Sequence, residues 1–494
     1  MRPAWFTVVP PLDRNARVVA FAQTLVGKLV LLAVYGVLLY LHEKSWLWDM
    51  MVIIAAMTFF PAQRRALLLV ATFFWLSKYT LFDWHVLNEV VSAQGVGSFI
   101  DLEVLRPTLI AAALLFCAVF YGTAVHWQQS YAMRRPIVTL FCVYFTLIVF
   151  VWYAPLSPLW RTYIWGFIIV FGRYIWFLCY SLLDRGQAAT DGFPWQLRSY
   201  LPFWIGLSTS PTPIAKGAAY LRRIEAKNPA ELAVTQLKGI KLLWWAYVLM
   251  AVETAFNGAV HGTPGYMSDY FSVPFSAGLP TYFDAFYKAV AGEYYPWYLN
   301  WLSLLARLFT NVLYLAIWGH IIISACRMAG FNALRGTYKP LAATTLAEFW
   351  NRYFYYFKEL LVEFFFYPTY LRYFKKHPRL RLFFATVMAA GFGNVLFHYI
   401  RDIQHIIAWG PWQALLEFHV YVFYGLVLGT GIGISQLRSR TVRPATHWFR
   451  RQVLSRVGVV VFYCFVLIFD NPDRSLSIQD NFVFVFSLFN IHLR

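Results

Sequence analysis

Long apolar runs restrict the fold of this chain more than any other feature. A helix needs roughly 17–25 mainly apolar residues to cross a bilayer. Runs of about that length are found at 22–42, 66–83, 106–126, 136–154, 160–183, 239–257, 300–326, 382–400 and 412–436. Shorter or weaker runs lie near 48–61 and 455–470, which gives about eleven predicted spans. We therefore predict an all-α, polytopic membrane protein.

The composition supports the membrane assignment and argues against a nucleic-acid partner. Hydrophobic residues make up 60% of the chain and charged residues 13%, where a soluble protein would have roughly a quarter charged. The net charge of +19 comes from basic residues in short connections, as expected for topology signals and contacts with anionic lipids. No basic face with a recognition motif is present, so membrane lipids are the expected partners.

The connections alternate in charge. Basic ones are 63–65, 134–135, 184–238 and 438–456, whereas 84–105 and 258–299 are acidic or neutral. The positive-inside rule then places the N-terminus in the cytoplasm. To keep this alternation, the charged, aromatic segment 346–367 has to enter and leave on the cytoplasmic side. Its charges cannot face lipid, so we predict that it is re-entrant or interfacial and walls a central polar chamber.

A polar stripe follows this segment. Asn394, His398 and Asp402 are spaced i, i+4, i+8, which places them on one face of a helix. An imidazole oriented by a carboxylate can act as a general base, and Asn394 can stabilise an oxyanion. In the alternative interpretation, His398 caps the helix end or pairs with Asp402, or Arg401 neutralises Asp402.

Three other features have simpler interpretations. The GTGIG sequence at 429–433 lies within an apolar run and predicts a small-residue helix-packing face. His320 in another span is predicted to make a packing hydrogen bond. The aromatic 258–299 connection covers an opening, docks a partner or forms a lipid-interface belt. No metal-ligand spacing such as HExxH occurs, and no metal site is predicted.

The order of several motifs resembles the membrane-bound O-acyltransferase (MBOAT) family. Gly330-Phe331 and Lys339-Pro340 precede Phe349-Trp350, a Tyr-Pro follows at 367–368, and a Gly-rich helix then ends in Phe-His-Tyr, with His398 48 residues after Trp350. The upstream LPFWIGLSTSPTPIAKGAAYLRR is similar to a further family loop. The branch it looks most like contains bacterial alginate O-acetylases and the D-alanine transfer protein. Phe354, Phe397 and Tyr399 depart from the family pattern.

The resemblance implies an O-acyltransferase with His398 as its catalytic base. The donor would be a thioester on coenzyme A or an acyl carrier protein, with no permanently bound cofactor. The acceptor would be a hydroxyl of a polysaccharide, lipid or small molecule, and an extracytoplasmic partner protein would complete the transfer in some cases. The implied location is the bacterial cytoplasmic (inner) membrane. Predicted substrate-binding residues are Trp350, Asn351, Arg352, Glu363 and Arg401.

The corresponding division of the chain has three parts. Residues 1–183 form N-terminal transmembrane helices, 184–238 a cytoplasmic loop and surface helix, and 239–494 a transmembrane catalytic core with the family-like motifs at 328–436. A transporter or flippase of a lipid-linked or amphipathic substrate would use the same polar chamber without a chemical step. An inactive scaffold is a third hypothesis.

Overall fold

The computed structural model describes residues 10–41, 47–77, 84–185, 192–201, 212–441, 448–471 and 473–493. These described residues are 77% helical and include no strand. In the described residues, eight helices are long and apolar enough to cross a membrane, or up to ten if each of two bent pairs is one span. The predicted all-α, multi-pass class is confirmed. Residues 202–211 of the predicted family-like loop at 201–223 lie outside the described residues.

The described α-helices are labelled in chain order. They are α1 (Ala16–Gln23), α2 (Leu25–Tyr40), α3 (Leu47–Phe59), α4 (Arg64–Ser77), α5 (His85–Ala93), α6 (Leu102–His126), α7 (Pro136–Tyr153), α8 (Pro158–Asp184), α9 (Phe193–Leu197), α10 (Ala218–Ile224), α11 (Pro229–His261), α12 (Tyr282–Val290), α13 (Trp297–Met328), α14 (Leu346–Tyr353), α15 (Tyr355–Leu361), α16 (Tyr367–Arg372), α17 (Pro378–Val387), α18 (Asn394–Arg401), α19 (Ile403–Trp409), α20 (Pro411–Glu417), α21 (His419–Thr441), α22 (Ser455–Phe469) and α23 (Ile478–Ser487). Turns of π-helix occupy Val362–Phe366, Met388–Gly393 and Arg450–Leu454.

The number of spans differs from the sequence prediction near the N-terminus. The runs 48–61 and 66–83 were expected to cross separately, but α3 and the helix after it are bent by 109° at the Pro61 break. With 13 and 14 residues, α3 and α4 are each about 20 Å long, which is short of the roughly 30 Å hydrocarbon core. Residues 78–83 of the second run lie outside the described residues.

The chain forms two compact units that are interleaved in sequence. The first contains Met1–Trp244, Ile321–Leu334 and Ile400–Ala414, and the second contains Trp245–His320, Arg335–Tyr399 and Leu415–Arg494. In the first unit, α8 is the central helix: 83% of its apolar window is buried, and α5, α6 and α7 pack on it. The many large apolar side chains of α8 explain why this helix is buried.

The Gly330-Phe331 pair supports the first unit. Gly330 has φ +91°, and a Cβ there would lie 2.8 Å from the guanidinium carbon of Arg64. That guanidinium donates to the carbonyl of Ala226 at 3.0 Å, while the Ala226 amide donates to the carbonyl of Gly330 at 2.9 Å. Glycine is therefore required here both for the backbone angle and for the close approach.

The second unit is organised around α21. Gly425, Gly429 and Gly433 are spaced four residues apart on this helix and face the α17 region. A Cβ on Gly429 would lie 3.1 Å from the backbone nitrogen of Gly391, and one on Gly391 would lie 3.1 Å from the carbonyl of Gly425. The predicted small-residue packing face is thus confirmed, because only glycine permits this backbone contact.

Candidate functional site around His398

Asn394 and His398 lie one helical turn apart on α18, within the membrane-span candidate Pro378–Arg401. The π-turn Met388–Gly393 immediately precedes them. Asn394 is fully buried, at 0% exposure, and His398 is half-buried. An isolated π-turn within a helix frequently marks a functional site, which keeps the pair a candidate site.

Aromatic rings surround His398 within the second unit. Its imidazole centroid lies 4.6 Å from the ring of Tyr421 and 6.0 Å from that of Phe357, which it meets edge-on. Phe357 in turn contacts Trp350, with 6.1 Å between ring centroids. The Val362–Phe366 and Met388–Gly393 π-turns also pack together. The charged, aromatic segment and the histidine helix are therefore neighbours within the second unit.

A hydrogen bond orients the Asn394 amide. The hydroxyl of Tyr421 donates to Asn394 Oδ1 at 3.4 Å. The Nδ2 group, which carries the two amide hydrogens, is buried and makes no hydrogen bond of standard geometry among the described residues, and the hydroxyl of Tyr424 also interacts with this side chain. A buried amide donor beside an imidazole is suited to an oxygen atom that gains negative charge during a reaction.

Asp402 differs from its predicted position on the stripe. It leaves the helix with φ −90° and ψ 43°, at the start of α19. In the first unit, Arg401 donates to its carboxylate from Nε at 2.6 Å and from Nη2 at 3.2 Å. The helical stripe therefore ends at His398, since the backbone turns at Asp402. The bidentate pair matches the alternative in which Arg401 neutralises this carboxylate.

The remaining predicted substrate-binding residues occupy varied surroundings. Asn351 is exposed on α14. Arg352 forms an ion pair with Glu348 one turn earlier and donates to the carbonyl of Lys339 at 3.5 Å. Glu363 is half-buried in the first π-turn of the segment. Their contact with substrate remains a prediction.

A basic cavity of about 510 Å³ lies in the first unit and is lined by Arg223, Lys227 and Lys238. No carboxylate pairs with these three side chains among the described residues. Glu225 and Glu231 also line the cavity, but both already accept hydrogen bonds from neighbouring residues. The cavity can therefore receive phosphate or another acidic group.

The structure thus defines a multi-pass helical membrane protein with a histidine–asparagine pair in one span. Comparison of its sequence with models of known protein families gives no match, and a search of curated proteins gives no similar sequence. The MBOAT resemblance rests on the order of its motifs. Within the described residues, no three His, Cys, Asp or Glu side chains are grouped closely enough to hold a metal ion.

Sequence reasoning missed a second group of polar residues in the second unit. Arg307, Glu253 and His261 line a cavity of about 710 Å³, which His398 does not line. The sequence signal was Arg307 itself, a charge inside the predicted 300–326 span. An ionisable residue at that depth is a functional candidate by default.

Proposed function

We propose that the chain is a membrane-bound O-acyltransferase that moves an acyl group from a thioester donor to an acceptor hydroxyl, with His398 as the general base. The observation that carries this proposal is the position of His398. It follows the buried Asn394 by one turn of a membrane-span helix and contacts Phe357 of the charged segment. Such a pair supplies both a proton acceptor and an oxyanion donor.

The transfer needs one general base and one hydrogen-bond donor that polarises the thioester carbonyl. His398 accepts the proton of the acceptor hydroxyl while the hydroxyl oxygen attacks the thioester carbonyl carbon. Asn394 Nδ2 donates to the carbonyl oxygen as it becomes negative. The carbon–sulfur bond then breaks, the ester is released, and the leaving thiolate takes the proton from the imidazolium.

The basic cavity of the first unit supports a donor that carries phosphate or acidic groups. Arg223, Lys227 and Lys238 line it, and coenzyme A and acyl carrier proteins both present such charges. We assign Trp350, Asn351, Arg352, Glu363 and Arg401 to the substrates as part of the same proposal. The polar chamber, the bacterial inner membrane and the cytoplasmic N-terminus belong to it as well.

The direct test uses purified protein in lipid nanodiscs with radiolabelled acyl-coenzyme A or acyl carrier protein and a membrane extract as the acceptor source. We expect His398→Ala to lower transfer by roughly 10²–10⁴-fold. His419→Ala is the matched control, because His419 is exposed in the same unit. A folded His398→Ala protein with full transfer activity would refute the proposal. Mass spectrometry of glycans, lipids and small molecules from cells with and without the protein would identify the acceptor.

A transporter or flippase is the second candidate, and the Arg307-lined cavity favours it. A cavity of this size with an arginine on a membrane-span helix suits passage of a charged substrate. The two candidates predict different results for one protein preparation. An acyltransferase releases thiol from the labelled thioester in a His398-dependent manner, whereas a transporter moves substrate across sealed vesicles with or without this histidine.

A further inference from the structure

A second cavity of the second unit is not lined by His398. It is formed by the end of α11, the connection after it, the start of α12 and the middle of α13, and its volume is about 710 Å³. Binding sites for small molecules typically have volumes of roughly 300–1,000 Å³. The cavity therefore has room for a small solute or for the headgroup of a lipid.

Arg307 lines this cavity from within the α13 span. It stands ten residues after Trp297, the first residue of the α13 span, and therefore about 15 Å along the helix axis. A charged side chain on a membrane helix is costly unless it faces protein or a polar cavity. Lining the cavity lets Arg307 keep its charge in contact with water or ligand.

The guanidinium of Arg307 has no carboxylate in ion-pair contact among the described residues. Its guanidinium carbon lies 4.8 Å from the centroid of the Phe283 ring. Asp470 acts on it electrostatically at longer range. A guanidinium has five N–H donors, so its donors remain available to a ligand with two or more oxygens.

The acidic residue of the cavity does not compete for this arginine. Glu253 is 8% exposed. Its Oε1 accepts a hydrogen bond from Asn257 Nδ2 at 2.6 Å, and its Oε2 accepts one from the backbone nitrogen of Tyr266 at 3.0 Å. These bonds hold the connection after α11 against the helix, which gives the carboxylate a structural role.

Neutral polar groups complete the lining. Nδ1 of His261 lies 2.8 Å from the carbonyl oxygen of Leu279, and because a carbonyl only accepts, this nitrogen must carry the hydrogen. When the ring is neutral, Nε2 is an acceptor. The side-chain amide of Asn311 also lines the cavity and offers both a donor and an acceptor.

We infer that this cavity is a binding site for an oxyanion, a phosphate or carboxylate group carried by a small solute or by a lipid headgroup. Arg307 binds the anionic oxygens in a bidentate arrangement, and His261 and Asn311 bind the hydroxyl or neutral oxygen beside them. The inference does not depend on the acyl transfer proposed above, because its site contains neither His398 nor Asn394.

The test measures binding with purified full-length protein in nanodiscs. In the solute arm, phosphatidylcholine nanodiscs are titrated with inorganic phosphate or glycerol 3-phosphate, and apparent Kd is obtained from the shift in Tm. In the lipid arm, protein is exchanged into phosphatidylglycerol nanodiscs, and native mass spectrometry counts the lipids retained after release. Lys288→Met is the matched control, since Lys288 is exposed on α12 and does not line the cavity.

Arg307→Met is expected to weaken binding by roughly 10- to 100-fold, and Lys288→Met to leave it unchanged. A loss in the solute arm identifies a free oxyanion, and a loss in the lipid arm identifies a headgroup. If Arg307→Met does not fold, Arg307→Lys and Asn311→Leu take its place in the test. We expect Arg307→Lys to weaken binding by roughly 3- to 10-fold and Asn311→Leu to weaken it by roughly 2- to 5-fold. Binding that is absent in both arms, or unaffected by these substitutions, overturns the inference.

Discussion

The surroundings of His398 and the cavity beside Arg307 lie in one unit, yet they are built in opposite ways. His398 is enclosed by aromatic rings on neighbouring helices, and glycine contacts hold α21 against the preceding π-turn. Arg307 faces an open space of about 710 Å³ lined by polar side chains. Tight packing fixes one proton acceptor and one amide in position, whereas an open polar space accommodates a ligand.

The largest expected effect separates chemistry from binding. His398→Ala should lower acyl transfer by roughly 10²–10⁴-fold and leave the oxyanion affinity of the Arg307 cavity unchanged, since the histidine does not line it. Both quantities are measured on the same nanodisc preparation. Equal losses of transfer and of oxyanion affinity would show that the two regions work as one site.

Gly429→Ala tests how closely packed the His398 region is. The new Cβ would lie 3.1 Å from the backbone nitrogen of Gly391 and 3.2 Å from the Cα of Val387. Because these are backbone atoms, the helices must separate, and we expect a loss of about 1–3 kcal/mol in the free energy of unfolding. Denaturant titration in bicelles measures this change.

Gly458→Ala is the control for that substitution, because a Cβ there would meet nothing within 4 Å. Alanine in an open helix position is expected to stabilise by up to about 1 kcal/mol. If the two glycines responded alike, the close helix contact at Gly429 would not contribute to stability.

Tyr421→Phe tests the positioning of Asn394. The change removes the hydroxyl that donates to Asn394 Oδ1 and keeps the ring against His398. We expect kcat to fall about tenfold, corresponding to about 1.4 kcal/mol, with KM for the donor unchanged. Tyr463→Phe loses a comparable hydroxyl bond, to the carbonyl of Leu346 at 3.0 Å, and should leave kcat unchanged. A purely structural role for Tyr421 predicts the same result for both variants.

The smallest effect concerns the basic cavity of the first unit. Lys238→Gln removes one of its three cations, and we expect KM for acyl-coenzyme A to rise about fivefold, or about 1 kcal/mol. An acyl-pantetheine thioester, which lacks the phosphates, should show no change. Loss of affinity for both donors would mean that the cavity does not recognise phosphate.

The sequence predicted most of the helices because each span leaves a continuous apolar run. It could not predict that α3 and the following helix form one bent pair, since the bend at Pro61 depends on packing around two short helices. It placed Asn394 and His398 correctly on one turn. It extended the stripe to Asp402 because periodicity assumes a continuous helix, whereas the backbone turns there and Arg401 binds the carboxylate.

The Arg307 cavity illustrates the same limit. Glu253, His261 and Arg307 are as many as 54 residues apart in sequence, and the connection between α11 and α12 brings them together. The 258–299 connection was predicted to cover an opening, dock a partner or form an interface belt, and its residues do line this cavity. The charge of Arg307 within an apolar run can be read from the sequence, whereas the cavity that it lines cannot.

The π-turn Met388–Gly393 has a consequence for how the chain can vary in length. A π-turn contains one residue more than an α-helix needs to cover the same rise. Deleting one residue within it would let the helix return to regular α geometry over the same rise, so the side chains from Asn394 onward would keep close to their present directions. Deleting one residue in the regular turns of α17 would instead rotate every later side chain by about 100° and move it by about 1.5 Å, which would direct His398 away from Tyr421. The π-turn can therefore absorb a change of one residue in length that α17 cannot.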